Sequence, residues 1–126
     1  MSESILHVRV GVPVEESLGA AAETMKALDR GEAPEPYFGV GFEDMSQMLA
    51  VFTPKRWELI GALRAAGPLT VAELARRLRR NYKNVHGDIA ELMEWMAVER
   101  DEAGRVFVPW SEIVVDMRLP HQAAAA

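Results

Sequence analysis

Cationic side chains are concentrated in the middle of the chain, where they could bind a polyanion. Residues 53–83 hold eight basic and two acidic groups, a net charge of +6. Residues 1–52 hold three basic and nine acidic groups, and residues 84–126 hold three basic and eight acidic groups. Local fields decide where a phosphate backbone docks, so the overall charge of −5 does not exclude nucleic acid as a partner.

The side chains that suit phosphate contacts lie at helix ends and turns. Arginines at the end of a short helix and in the turn after it would grip phosphates and set the register on a duplex. Lys55 and Arg56 begin the preceding helix, where the helix N-terminus also favours anions. Arg105 could add a contact from a hairpin. The candidates for phosphate contact are Lys55, Arg56, Arg76, Arg77, Arg79, Arg80, Asn81 and Arg105.

A neighbouring helical segment has an outward face that suits contacts with base edges. Helical periodicity turns Val85, Ile89 and Leu92 inward, which leaves the opposite face of the first turns outward. Asparagine can pair bidentately with adenine, and lysine can reach the acceptors of guanine. The base-reading candidates are Lys83, Asn84 and Gly87 on this face, together with Tyr82 and His86 on its flank.

Apolar periodicity and capping residues predict the elements that position these candidates. A helix begins at Thr53-Pro54, a short one runs from Val71 to Arg79 behind a Thr70–Glu73 capping box, and a third runs from Asn81 to about Met96. Residues 98–108 predict a β-hairpin. Helices in the order long, short, long, followed by a ribbon, are the parts of a winged helix-turn-helix, whose second motif helix enters the major groove.

The N-terminal segment predicts an arm of strand, helix and strand, formed by Ile5–Val10, Val14–Arg30 and Tyr37–Phe42. The fold class is therefore α+β. We assign residues 1–42 to an arm for dimerisation or partner binding, and residues 43–119 to the winged helix-turn-helix domain. That domain includes a helix over 45–52 and a last strand from Ile113. Residues 120–126 are expected to be a frayed tail.

From Phe42 to about Leu119 the chain resembles MarR-like winged-helix DNA-binding regulators. The likeness is carried by residues 52–59, 69–78, 98–101 and 104–106, and most specifically by Asn81-Tyr82-Lys83-Asn84-Val85-His86. The resemblance implies double-stranded DNA binding and transcriptional control, and some such proteins resemble antitoxins encoded beside a small toxin. Gly87 replaces a basic residue often found in these proteins, and Glu94-Trp95-Met96-Ala97 replaces a glycine-containing helix end.

Several functional classes find no support in the residues. The chain has no cysteine, which excludes disulfides and thiolate zinc sites, and its three histidines lack metal-ligand spacing. No phosphate loop, nucleophile motif or paired-carboxylate pattern stands out. We therefore expect no enzymatic activity, no metal and no cofactor. The N-terminus does not resemble a secretory signal and no run approaches about 18 apolar residues, so we expect a cytoplasmic protein without membrane contact.

The leading hypothesis is a sequence-specific transcriptional regulator that binds double-stranded DNA as a homodimer. One recognition helix reads only a few base pairs, so useful specificity needs two. A first alternative is an antitoxin that binds a toxin through its acidic arm and represses its own operon. A second is a winged-helix module that binds only protein. Salt dependence distinguishes the DNA-binding hypotheses from the last one.

Overall fold

The computed structural model describes residues 4–11, 14–32 and 37–118, and the predicted tail at 120–126 lies outside them. Within these ranges the chain has a mixed α+β fold. Its helices are α1 Val14–Asp29, α2 Met45–Val51, α3 Pro54–Ala66, α4 Val71–Leu78 and α5 Tyr82–Glu94. Its strands are β1 Ile5–Val10, β2 Phe38–Phe42, β3 Glu99–Arg100, β4 Val106–Phe107 and β5 Glu112–Met117.

Strands from both ends of the described chain form one parallel sheet in the order β2-β1-β5. In the central strand, Leu6 lies opposite Phe38 on one side and Ile113 on the other. Helix α1 connects β1 to β2, as parallel strands that are consecutive in sequence require a crossover. Ser111 donates its amide and its hydroxyl to the Ser4 carbonyl, both at 2.9 Å, which fixes the start of β5 beside β1.

The pairing of β1 with β5 was not anticipated from the sequence. It joins the predicted arm to the end of the predicted second domain, so the boundary at 42/43 crosses a single hydrophobic core. Leu6 and Val8 of β1 are fully buried in the same cluster as Leu59 and Leu63 of α3. Residues 4–11 and 37–42 are therefore part of the body that carries α3 to α5.

Side-chain caps begin the three helices of the second half where the sequence predicts them. The Thr53 hydroxyl accepts the Arg56 amide at 3.2 Å and begins α3. Thr70 and Glu73 form a reciprocal capping box on α4, with distances of 3.1 and 3.0 Å. Asn81 Oδ1 accepts the amides of the first turn of α5, at 2.8 and 3.3 Å. These bonds satisfy amides that have no partner within their helix.

A short antiparallel hairpin, β3 with β4, follows α5 as predicted. Asp101 Oδ1 accepts the amides of Ala103 and Arg105, both at 2.9 Å, and so shapes the turn. Leu69, between α3 and α4, exchanges two backbone hydrogen bonds with Val106, at 3.1 and 2.7 Å. The connection that leads into α4 is thereby tied to the hairpin.

Most of the large exposed apolar side chains belong to elements other than α3, α4 and α5. Met25 and Leu28 of α1 are 67% and 58% exposed. The predicted apolar stripe of α2 is only partly buried. Met48 is buried, as is Phe52 just after the helix, whereas Met45 and Leu49 are exposed to solvent. Among the described residues, the large exposed apolar side chains outside α3, α4 and α5, and outside the segment that follows α5, are Met25, Leu28, Tyr37, Met45, Leu49, Val115 and Met117.

Candidate nucleic-acid interface

The first turns of α5 present one polar and one buried side. Val85, Ile89 and Leu92 are at most 1% exposed, and they anchor the helix in the core. The opposite side carries Lys83, Asn84 and Gly87, and Tyr82 and His86 lie on its flank; all five predicted base-reading candidates are exposed. The rings of Tyr82 and His86 lie side by side with centroids 5.9 Å apart.

Gly87 has no packing role that explains the absence of a side chain. A Cβ at this position would meet no atom within 4 Å, and the backbone is regular helix. Glycine inside a helix costs about 1 kcal/mol relative to alanine. The fold therefore does not require a glycine at this position.

Four of the predicted phosphate contacts are exposed cations: Lys55, Arg76, Arg77 and Arg79. Within the described residues their side chains form no ion pair or hydrogen bond. With Lys83 they make up what we call the cationic surface. Arg79 ends α4 with a φ of +54°, and this left-handed residue makes the turn from α4 to α5 tight.

Arg56 and Arg80 are placed differently from their prediction as phosphate contacts. Arg56 Nε donates to Asp88 Oδ1 at 3.0 Å, and Arg80 Nη2 donates to Asp88 Oδ2 at 2.7 Å. The three side chains are only 15–20% exposed. Because both arginines point into an internal ion-pair cluster and not towards solvent, we remove them from the set of phosphate contacts.

Asn81 and Arg105 are exposed, but each already has a partner. The side-chain oxygen of Asn81 caps α5, so this residue orients the helix that carries the base-reading candidates. Arg105 Nε lies 3.4 Å from Asp101 Oδ2 within the hairpin turn. The charge of Arg105 is thus partly balanced, and its field at the surface is weaker than that of the unpaired cations.

Glu73 is an acidic group close to the cationic surface. Its hydrogen bonds with the backbone amide and then the side chain of Thr70 hold the pKa of the Glu73 carboxyl below its ordinary value of 4.5, and the charges of Arg76 and Arg105 act in the same direction. The carboxylate is therefore ionised at neutral pH. It serves as a cap at the positive end of α4.

Asp88 is the residue of this region that sequence reasoning missed. Its neighbours one helical turn away are Asn84, Val85, Glu91 and Leu92, none of which is basic. A carboxylate on a helix next to a basic block, with no cation at i±3 or i±4, would be expected to find a tertiary partner. The sequence therefore offered a signal that Asp88 pairs with a cation on another element, but it did not identify Arg56 and Arg80 as the partners.

The described residues provide neither a cluster for a metal ion nor a helix that could span a membrane. Within residues 4–11, 14–32 and 37–118, no three His, Asp or Glu side chains cluster in a way that could hold a metal ion. In the same part of the chain, no helix has the length and apolar character needed to cross a bilayer.

The fold and the surface define a small α+β protein that presents the start of one helix amid unpaired cations. Residues 51–115 match the HVO_A0114 family model, and the chain belongs to the HVO_A0114 family. The match spans every candidate residue named above, from Lys55 to Arg105, and leaves out β1, α1 and β2. No curated protein and no solved structure matches the chain.

Proposed function

We propose that the chain is a sequence-specific regulator that binds double-stranded DNA through a winged helix-turn-helix. In this proposal α4 and α5 are the helix-turn-helix, α5 is the recognition helix, and β3 with β4 is the wing. The observation that carries it is the exposure of all five base-reading candidates in the first turns of α5, while Val85, Ile89 and Leu92 of the same helix are buried.

The shape of α5 is compatible with entry into a major groove. Its 13 residues extend about 20 Å, and the groove of B-DNA, about 12 Å wide, admits one helix. Lys83 and Asn84 stand at the N-terminal end, where recognition helices contact bases. Glu91 and Glu94 lie in the second half of α5, where the helix would leave the groove and where a carboxylate would meet less repulsion from phosphates.

The cationic surface supplies the phosphate contacts in this proposal. Its five side chains are Lys55, Arg76, Arg77, Arg79 and Lys83. All of them except Lys55 lie within five residues of Asn81, which caps α5. Each neutralised phosphate releases condensed counterions. Five contacts would give a slope of log affinity against log salt of about −4 to −5.

The wing contributes less in this proposal. Its turn contains Asp101 and Glu102, and Arg105 is paired with Asp101. Acidic groups at the tip disfavour deep insertion into the minor groove, whose potential is negative. We therefore assign the wing only a weak contact between Arg105 and the DNA backbone, which is not counted among the five contacts of the cationic surface.

A homodimer is part of the proposal, because two recognition helices are needed to read a site of useful length. The exposed apolar side chains of α1, α2 and β5 support a protein interface that involves one or more of these elements. The excess of acidic groups in residues 1–52 equally suits a basic protein partner, as the antitoxin alternative requires. The mass of the purified protein in solution separates the two.

Fluorescence anisotropy with a labelled random-sequence duplex tests DNA binding directly. The proposal expects measurable affinity that falls with salt at a slope of about −4 to −5. The triple variant Arg76→Gln, Arg77→Gln, Arg79→Gln should bind with a slope smaller in magnitude by about 2 to 3. Absence of binding, or binding that salt does not change, would instead favour the module that binds only protein.

A further inference from the structure

Asp88 joins three elements that surround the start of α5. Its carboxylate binds Arg56 from the first turn of α3 and Arg80 from the turn between α4 and α5. Arg56 Nη1 also donates to the carbonyls of Ala50 and Val51 at the end of α2, at 3.3 and 2.8 Å. One carboxylate therefore connects α5 to α2, α3 and the turn before it.

Both arginines stand beside exposed members of the cationic surface. Arg56 follows Lys55, and Arg80 follows Arg79, but only the paired residues are withdrawn from solvent. The Nη1 atom of Arg80 is buried without a hydrogen-bond partner within the described residues. Leaving a charged donor without a hydrogen bond is costly. The ion pair with Asp88 therefore holds the Arg80 side chain in a position where one of its donor nitrogens is left unsatisfied.

A carboxylate and a phosphate compete for the same donors. Both offer paired oxygens to the planar fork of a guanidinium, and each such contact is charge-assisted. Arginines freed from Asp88 would be drawn to the phosphates of any duplex, whatever its sequence. Contacts of that kind raise the affinity for all DNA and lower the ratio of specific to non-specific binding.

We propose that Asp88 is a positioning and specificity-determining residue, which holds Arg56 and Arg80 in the scaffold and away from the phosphate backbone. It keeps the number of phosphate contacts to those of the exposed cations and fixes the angle at which α5 meets α3. This inference rests on the proposed DNA-binding function, and it adds a means by which the same surface limits its non-specific affinity.

The test compares Asp88→Asn with Glu91→Gln in full-length protein. Both changes remove one negative charge from α5, and the side chain of Glu91 forms no ion pair within the described residues. Salt titrations on a random duplex should give Asp88→Asn a slope steeper by about 1 to 2, as one or two arginines gain phosphates. Its affinity at low salt should rise several-fold more than that of Glu91→Gln. In the double variant Asp88→Asn, Arg80→Gln, the increase in slope that Asp88→Asn causes should be reduced by about half or more.

A slope for Asp88→Asn equal to that of Glu91→Gln, or shallower than wild type, would overturn the inference. A second comparison keeps it falsifiable if Asp88→Asn unfolds: Arg80→Gln should leave the wild-type slope unchanged, whereas Arg79→Gln should make it shallower by about 1. A loss of slope in Arg80→Gln equal to that in Arg79→Gln would also overturn it. Failure of the wild-type protein to bind any duplex would instead refute the proposed function itself.

Discussion

Two neighbouring side chains at the start of α5, Lys83 and Asn84, decide most of the sequence preference in this account. Both are exposed, and their amides are held by the Asn81 cap, which fixes the backbone that presents them. Their polar ends can match the acceptor and donor pattern of a base pair in the major groove. In the proposed function, the neighbouring cations add affinity for any duplex and contribute little to sequence preference.

Replacing Asn84 with alanine should remove discrimination at one position of the binding site. A bidentate contact to a base contributes about 1–3 kcal/mol of discrimination against the wrong base. We expect the preferred duplex to lose that advantage and random duplex to be bound almost as before. Competition titrations with the two duplexes measure the difference.

Lys55→Ala is the matched control for that comparison, because Lys55 is exposed and lies outside α5. It should weaken preferred and random duplexes by the same factor. If Lys55→Ala altered sequence preference and Asn84→Ala lowered both affinities alike, the two roles would have been assigned the wrong way round.

The cap of α4 makes the stability of the fold depend on acid. The folded-state pKa of Glu73 lies below 4.5, so its contribution is fully present above that pH and is lost as the pH falls through the lowered value. The melting temperature of the Glu73→Gln variant should therefore decrease less than that of the wild type as the pH is lowered below 4.5. Thermal unfolding between pH 3 and 6 measures this.

The same substitution at Glu58 supplies the comparison, since Glu58 is exposed on α3 and does not cap a helix. Its variant should retain the acid dependence of the wild type. Identical profiles for Glu73→Gln and the wild type would contradict the role given to the capping box.

Among whole elements, α4 and α5 are each followed closely by a residue that has positive φ and is not glycine. Arg79 caps the end of α4 with φ +54°, and Met96 lies two residues after the end of α5 with φ +69°. A positive φ costs a residue other than glycine about 1–2 kcal/mol. Glycine avoids this cost, but it also makes the unfolded chain more flexible, which offsets part of the gain. Met96→Gly should therefore raise the free energy of unfolding by up to about 1 kcal/mol, as measured in urea.

Arg79→Gly is the informative partner of that variant. It should stabilise the fold in the same way yet weaken binding to every duplex, because it removes a cation from the proposed phosphate contacts. Met96→Gly should leave DNA binding unchanged, and the Met96 carbonyl would still accept the Trp110 indole at 2.7 Å. Loss of stability in both variants would contradict this explanation of the two helix ends.

The elements that sequence predicted well are those determined by neighbouring residues. Thr53, Thr70 and Asn81 cap helices through contacts two or three residues away, so local pattern is sufficient. The β1–β5 pairing joins residues more than 100 positions apart and depends on tertiary packing, which periodicity does not encode. For the same reason Arg56 and Arg80 were predicted as surface cations, since their partner Asp88 is distant or on another element.

At the scale of the whole molecule, two kinds of exposed side chain lie on different elements. The cationic surface lies on α3, α4, the turn after α4 and the start of α5, which expose few large apolar side chains, whereas α1, α2 and β5 expose most of them. A protein with this division can bind a polyanion through the first set of elements and a protein through the second. We propose that the protein bound by the second set is another copy of the chain.

Charged substitutions on α1 test that assignment. The double variant Met25→Glu, Leu28→Glu should shift the mass in solution from dimer to monomer, because these side chains are 67% and 58% exposed and the core does not need them. Light scattering measures the mass, and Ala22→Glu with Glu23→Ala offers a charge-neutral control on the same helix. A wild-type protein that is already monomeric would contradict the dimer and favour a different, basic partner.

Selection of duplexes from a random library by the purified full-length protein tests the central claim most directly. The account predicts enrichment of a short motif in two inverted copies with centres about 10 base pairs or a multiple apart, as two α5 helices in successive major grooves require. The Lys83→Ala, Asn84→Ala variant should fail to enrich that motif. Recovery of no sequence above the starting library, at low salt and with folded protein, would contradict the account.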